Sequence, residues 1–427
     1  MNASEIKKHL FSLNNKGIKY DLNRINEAAK RCGNPQLAIK CFHVAGTNGK
    51  GSTCAYLESM LRSAGFKTGL YTSPHLLYFE ERFQIDGKII SEKQWLEVYE
   101  DIRNIVDDLN LTFFETTTLL AFELFKRNEV QWAVFETGLG GRLDATNIIK
   151  PEVSVITRIA LDHQDLLGKD MASIAREKAG IIKKGVPAVV ASSCDPLVRN
   201  VFLDTCKNMQ APFHEVSFSD ASEICETLSA TSFARKGIRY MLKMAGKFQV
   251  INALLALEAL EIVSLLDTVT SAEGLSRTFL PCRFQQISFR QKQLILDVGH
   301  NPDAACVLVD NIKKHFANEP VCIVTGIMKD KDYPGILKKY CEIADTIILS
   351  RPQVERASLP EDLLNSIPPG KVNTKVCNTM EEAITEAING YHKVVCIAGS
   401  FFTVGEACSL MGINPFSQVS DESYTTR

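Results

Sequence analysis

The chain has 427 residues, enough for about two or three domains of ordinary size. Its 45% hydrophobic and 23% charged content is that of a globular protein. Forty-eight basic against 50 acidic side chains leave a formal charge of −2, which argues against broad electrostatic binding to nucleic acid or an acidic membrane.

No apolar run approaches the ~18 residues that span a bilayer, and MNASEIKKHLFSLNNKGIKYD lacks the apolar core of a signal peptide. The expectation is a soluble cytosolic protein. The cysteines number 13, an odd count, and fall in apolar runs such as VCIVTGI and VVCIAGS without a CxxC pair. That pattern predicts reduced core residues rather than a disulfide scaffold or a zinc site.

Residues 1–40 have a helical pattern, and an apolar run ending at Val44–Ala45 leads into GTNGKGS. A helix is predicted from Ser52 to Ala64, with Tyr56, Leu57, Met60 and Leu61 on its apolar face. The short runs TGLYTS, QWAVFETG, EVSVITRI and VPAVVAS then alternate with helical stretches. This is the rhythm of a mostly parallel sheet covered on both faces. The alternation restarts near residue 285 with QLILDV and a helix carrying Ala305, Leu308, Val309, Ile312 and Phe316. VCIVTGI, DTIILS, NTKVC and KVVCIAG follow, and Thr379 with Glu382 has capping-box spacing. We therefore expect an α/β N-terminal domain over 1–284 and a smaller, doubly wound, Rossmann-like domain over 285–427.

Gly46-Thr47-Asn48-Gly49-Lys50-Gly51-Ser52 lies between a predicted strand and a helix. In that position backbone N–H groups can wrap a phosphate chain while Lys50 supplies a point charge. The pattern departs from GxxxxGK[ST], because Gly51 separates the lysine from the hydroxyl. Glu136 ends QWAVF and is placed either to bind Mg²⁺ or to serve as a capping or ion-paired acid. His163 and Ser73 also follow strands, and alone neither specifies a role. Lys178 has Met171, Ile174, Ala175, Ile181 and Ile182 at helical offsets, so it lies on an apolar face. Taken alone, it reads as a lysine whose stem packs while its head reaches water. Asn252, Arg283 and Asp297 are polar punctuation between predicted elements.

Together, HVAGTNGKGS, TSPHL followed by ER, FETGLGGRLDATN, LDHQDLLG, REKAGIIK, LPCRF, DVGHNP, DKD and AGSFF resemble the folylpolyglutamate synthase/dihydrofolate synthase family, relatives of the Mur ligases. The resemblance implies a Mur-ligase-like P-loop domain followed by a C-terminal domain closing an ATP and glutamate cleft. It implies that Thr47, Asn48, Gly49, Lys50, Gly51 and Ser52 hold ATP phosphates, with Asn252, Arg283 and Asp297 as further ATP contacts. Ser73, Glu136 and His163 become Mg²⁺ ligands. Lys178 becomes a lysine carboxylated by CO₂, beside a second metal position. Ile18, Lys19 and Tyr20, then Thr112, Phe113, Phe114 and Glu115, and Leu143 become contacts of the pterin substrate. For Phe113 and Phe114, membership of the core is an equal alternative.

The implied reaction is ATP-dependent addition of L-glutamate to dihydropteroate, to reduced folates, or to both, through an acyl phosphate. Neither nucleic acid nor membrane is an expected partner, and a monomer is the expected state. The other readings are a Mur-type ligase acting on a different carboxylate and a nucleotide-binding relative without ligase chemistry. Three departures from the family pattern stand out: Cys282 where a glycine is usual, Phe248 where histidine is usual, and Val298 in DVGHNP.

Overall fold

The chain folds around two sheets whose central strands are buried along nearly their whole length. The computed structural model describes residues 3–17 and 21–417. Ile18, Lys19 and Tyr20 fall outside the described residues.

Eight strands form the first sheet: β1 (Lys40–Ala45), β2 (Thr68–Tyr71), β3 (Phe83–Ile85), β4 (Lys88–Ile89), β5 (Trp132–Glu136), β6 (Val153–Ile156), β7 (Ala188–Ala191) and β8 (Phe213–Val216). Their spatial order is β4-β3-β2-β5-β1-β6-β7-β8. All neighbours are parallel except the β2–β3 and β3–β4 pairs. Side chains alternate across the pleat. Cys41 therefore joins a core containing Leu120, Phe122 and Phe135, while Phe42 and Val44 join one containing Leu57 and Leu254. Each fully buried phenylalanine contributes about 1.5–3 kcal/mol. Helix Phe248–Ile262 is buried nearly all round, as an apolar helix at the centre of a domain must be.

A second sheet begins at Gln285. It comprises β12 (Gln285–Phe289), β13 (Lys292–Asp297), β14 (Val321–Thr325), β15 (Thr346–Leu349), β16 (Asn373–Val376) and β17 (Val394–Ala398). The order β12-β13-β17-β14-β15-β16 is parallel apart from the β12 edge. Between the two sheets lies an antiparallel one that the periodicity did not reveal: β9 (Ser222–Glu226), β10 (Thr231–Arg235) and β11 (Ile238–Leu242). Its hairpin turns at Lys236–Gly237, both left-handed (φ 50° and 79°), the geometry of a two-residue loop. β10 is buried throughout, and Arg235 pairs with Glu258 and Glu261 at 2.6 and 2.7 Å.

The Thr379 cap forms as expected, accepting the Glu382 N–H at 3.2 Å. All cysteines are free, but Cys194 and Cys225 are exposed and Cys32, Cys306 and Cys377 half-buried, so the expectation that they are core residues holds only for the other eight. Asn252 also differs from its expected place. It lies within helix Phe248–Ile262 rather than in a connecting segment. Among the described residues no helix is long and apolar enough to cross a membrane.

Candidate active site

Parallel strand order places chemistry at one sheet edge, because the loops leaving the carboxyl ends of adjacent strands are neighbours. Val44 of β1 is in register with Glu136 of β5, and Ala45 with Ile156 of β6. Tyr71 of β2 is in register with Phe135, which brings Ser73 alongside.

The phosphate loop leaves β1 at Gly46. The N–H groups of Thr47 and Asn48 donate to the Arg158 carbonyl at 2.8 and 3.3 Å, fixing its first half to the exit of β6. Its second half opens helix Lys50–Ser63, whose first turn has no side-chain cap. Those uncapped N–H groups and the helix dipole favour an anion. Gly49 sits at φ 92°, and an added Cβ would overlap the Asn252 side-chain oxygen. Lys50 Nζ reaches its own loop, donating to the Thr47 carbonyl at 3.2 Å.

Beside the loop, Glu136 is buried and accepts the Ser73 N–H through Oε2 at 3.1 Å. Burial raises its pKa, while Lys50, that N–H and Arg283 oppose the rise. The Arg283 guanidinium lies 5.0 Å from the Phe401 ring. Arg283 is flanked by two left-handed residues, Cys282 (φ 56°) and Phe284 (φ 52°). Each costs about 1–3 kcal/mol in a side-chain-bearing residue. A glycine at 282 would carry less of that cost, which accounts for the family's usual residue there. The Cys282 side chain instead packs in the core with Leu294, Leu296 and Val298, and its carbonyl accepts the Val298 N–H at 3.0 Å. Asp297 stabilises this turn through both oxygens, accepting the Phe284 and Gly299 N–H groups at 2.9 and 2.8 Å. Phe248, the third departure, opens its helix and lines the cleft.

Lys178 does not reach water. It is buried, and Nζ donates to the Gly46 carbonyl at 2.7 Å. Burial, and next the charge of Lys50, lower its pKa to about 7, so a large neutral fraction exists near neutrality. Nearby, His163 is left-handed (φ 50°), and burial with the Lys331 charge lowers its pKa to about 4. Its Nε2 accepts from Lys331 Nζ at 2.9 Å, and the same ammonium lies 2.7 Å from Asp162 Oδ1.

Asp162, Lys331, His300 and Asn301 were not singled out as site residues. Their signal was the acid and bases already present in LDH, DKD and GHN, which become neighbours only when the two sheets face each other. His300 Nε2 is 3.6 Å from Asp162, while Asn301 exchanges amide hydrogen bonds with Asn48 at 3.0 and 3.2 Å. Arg158 pairs with Asp303 at 2.6 Å across the same junction.

At the far end, Thr112 and Glu115 form a capping box for helix Phe113–Arg127, and Glu115 also pairs with Arg24 at 3.1 Å. Phe113 stacks on Phe11, with ring centroids 5.9 Å apart. Phe114 lies 6.2 Å from the Tyr71 ring and against Gly138, where a Cβ would overlap it. Both phenylalanines pack against the aromatic core and line the cleft. Every expected site residue among the described ones, Leu143 included, lines a single cleft of about 840 Å³.

The Mur ligase middle domain matches residues 44–260, and the Mur ligase, glutamate ligase domain matches residues 282–401. The dihydrofolate synthase/folylpolyglutamate synthase of Escherichia coli is 35% identical over 418 residues, covering 94% of each chain. The chain belongs to this family of Mur ligases. The structure of E. coli FolC in complex with DHPP and ADP matches this Mur ligase with a TM-score of 0.85 at 33% identity, covering 95% of this chain and 97% of that one. A bifunctional folylpolyglutamate synthase/dihydrofolate synthase with Mn, AMPPNP and L-glutamate bound gives 0.84 at 33% identity, over 96% and 98%.

The donors at the phosphate end suit a hard divalent cation: a hydroxyl on Ser73, a buried carboxylate on Glu136 and a neutral imidazole on His163. Among the described residues no three His, Cys, Asp or Glu side chains form a closed cage.

Proposed function

We propose that this chain is an ATP-dependent ligase that joins L-glutamate to dihydropteroate and to reduced folates. The observation carrying this reading is the meeting, in one cleft, of a phosphate loop, a buried carboxylate and an aromatic acceptor wall. A carboxylate is a poor electrophile, so the terminal phosphoryl group of ATP is first transferred to the acceptor carboxylate. The amine of glutamate then attacks the acyl phosphate, and loss of phosphate leaves an amide.

The first step brings two anions together. The N–H groups of Gly49 to Ser52 and the Lys50 ammonium offset that repulsion and hold the transferred group in place. Asn252, Arg283 and Asp297 shape the nucleotide end, Asn252 by filling the space beside Gly49 and Asp297 by holding the turn that carries Arg283. Ser73, Glu136 and His163 are the residues that would hold Mg²⁺, which supplies charge neutralisation for phosphoryl transfer when bound. His163 would first exchange its Lys331 partner. Thr112 to Glu115 and Leu143 form the acceptor wall.

Lys178 is read as the site of carbamate formation. Its neutral amine attacks CO₂, forms an N–C bond and releases one proton, leaving an anionic oxygen near the loop. The lowered pKa and the buried Nζ beside Gly46 support this reading. We take residues 1–284 and 285–427 as the two halves that close on the substrates. We take a monomer as the working unit.

Phosphate release with Mg·ATP and glutamate tests the proposal, comparing dihydropteroate, tetrahydrofolate and no acceptor. Turnover with both acceptors, each gaining glutamate by mass, is the expected outcome. Turnover with one acceptor removes the other activity. ATP binding without acceptor-dependent turnover overturns the ligase reading.

A further inference from the structure

The acceptor end of the cleft holds a buried cation to which no role has been given above. Arg82 closes the short turn Phe79–Arg82 and is only 6% exposed. Glu81 stabilises that turn by accepting the N–H groups of Leu76, Leu77 and Tyr78 at 2.6, 2.7 and 2.5 Å. The Arg82 carbonyl accepts the Thr72 N–H at 3.1 Å, tying the turn to the segment that carries Ser73.

The guanidinium has uncharged partners. Nε donates to His75 Nδ1 at 2.9 Å, its centre lies 5.2 Å from the Phe113 ring, and the Tyr71 hydroxyl is its other polar neighbour. Among the described residues no carboxylate forms an ion pair with Arg82. Glu81 is occupied by backbone N–H groups, and Glu136 faces Ser73. Glu81 and Glu136 act on the guanidinium through space without pairing with it, and it stands on the wall of the cleft together with His75, Ser73, Phe113 and Glu136.

We propose that Arg82 is a substrate-binding residue that holds the acceptor's carboxylate, the group to be phosphorylated, and so selects acids over their neutral analogues. The proposal rests on the ligase reading above. Its chemistry follows from the guanidinium, whose planar fork matches a carboxylate and whose charge is permanent. His75 acts as a positioning residue, fixing the edge of the fork through Nε, while no carboxylate of the described residues pairs with the Nη groups. With one carboxylate oxygen held, the other is free to form the new P–O bond as the bond from the terminal phosphorus to the bridging oxygen of ATP breaks and ADP leaves.

Dihydropteroate has a single carboxylate, so its carboxamide is a clean probe. Binding of the acid and the amide would be followed by pterin fluorescence for the natural chain, Arg82→Gln and Arg82→Lys, with ATP binding measured on each. The natural chain is expected to favour the acid by about 30-fold or more. Arg82→Gln is expected to bind both forms weakly and alike, with Kd for ATP moving by less than about threefold. Arg82→Lys should restore part of the preference, since it keeps the charge and loses the fork. Equal binding of acid and amide by the natural chain, or a preference retained by folded Arg82→Gln, would overturn the role of Arg82 alone. If Arg82→Gln does not fold, an undiminished preference in Arg82→Lys would count against it in the same way. A natural chain that binds ATP but neither pteroate form would overturn the ligase reading, and this proposal with it.

Discussion

The two ends of the cleft are built in different ways. The phosphate end uses one continuous segment, Gly46 to Ser52, in which the Thr47 and Asn48 N–H groups anchor the loop to Arg158 and those from Lys50 onward open a helix without a side-chain cap. The acceptor end uses side chains from distant segments: Phe11, His75, Arg82, Phe113, Phe114 and Leu143. Phosphate is recognised by directed backbone donors, which a short loop can supply by itself. A flat organic acid needs opposing surfaces and a counter-charge, which only the assembled fold can bring together.

That contrast can be broken first at the backbone. Gly49→Ala forces a Cβ onto a residue at φ 92° and into Asn252, so the loop must shift. Kd for ATP, read by calorimetry, is expected to rise about 10- to 100-fold, with Kd for the acceptor little changed. Unchanged ATP binding would show that loop conformation does not govern phosphate recognition.

A smaller effect sharpens the electrostatics between the two ends. The Lys178 pKa falls from 10.5 to about 7 in the folded chain. Between those values the unfolded state holds a proton that the folded state has lost, so stability rises with pH across this window. In CO₂-free buffer, the stability of the natural chain minus that of Lys178→Met should climb from pH 7 toward pH 10. The slope is at most about 1.4 kcal/mol per pH unit. A flat difference in denaturant midpoints would mean that Nζ is not held neutral.

The smallest effect lies at the acceptor end. Thr112→Ala removes half of the capping box and is expected to cost about 1 kcal/mol in urea unfolding. Kd for ATP should stay the same. A loss of acceptor binding larger than that stability change would assign Thr112 a direct contact beyond its capping role.

Much of this molecule was legible as sequence because the relevant physics is local. Alternating apolar runs and amphipathic stretches indicated parallel α/β organisation, since strand and helix periods are written in consecutive residues. The Gly-rich loop after β1 was legible for the same reason, and Ser73, Glu136 and His163, singled out once their motifs were taken together, line the same cleft. The β9–β11 sheet was missed because its strands are short and only β10 is buried throughout, although Lys236–Gly237 carried a turn signal.

Lys178 shows where local pattern stops. Its apolar face was visible, but a packed stem with a head in water and a fully buried amine share the same periodicity. Only the Gly46 carbonyl above Nζ and the nearby Lys50 charge distinguish them. Likewise, nothing adjacent in sequence reveals that Cys282 is left-handed, that Asp162 meets Lys331, or that Arg82 lacks an acid. The sequence by itself determined most of the elements, the pattern of the phosphate loop and the family. Tertiary structure decided which charges are paired, which are buried and which face the cleft, because desolvation and Coulomb energy depend on distances between segments that the chain order does not contain.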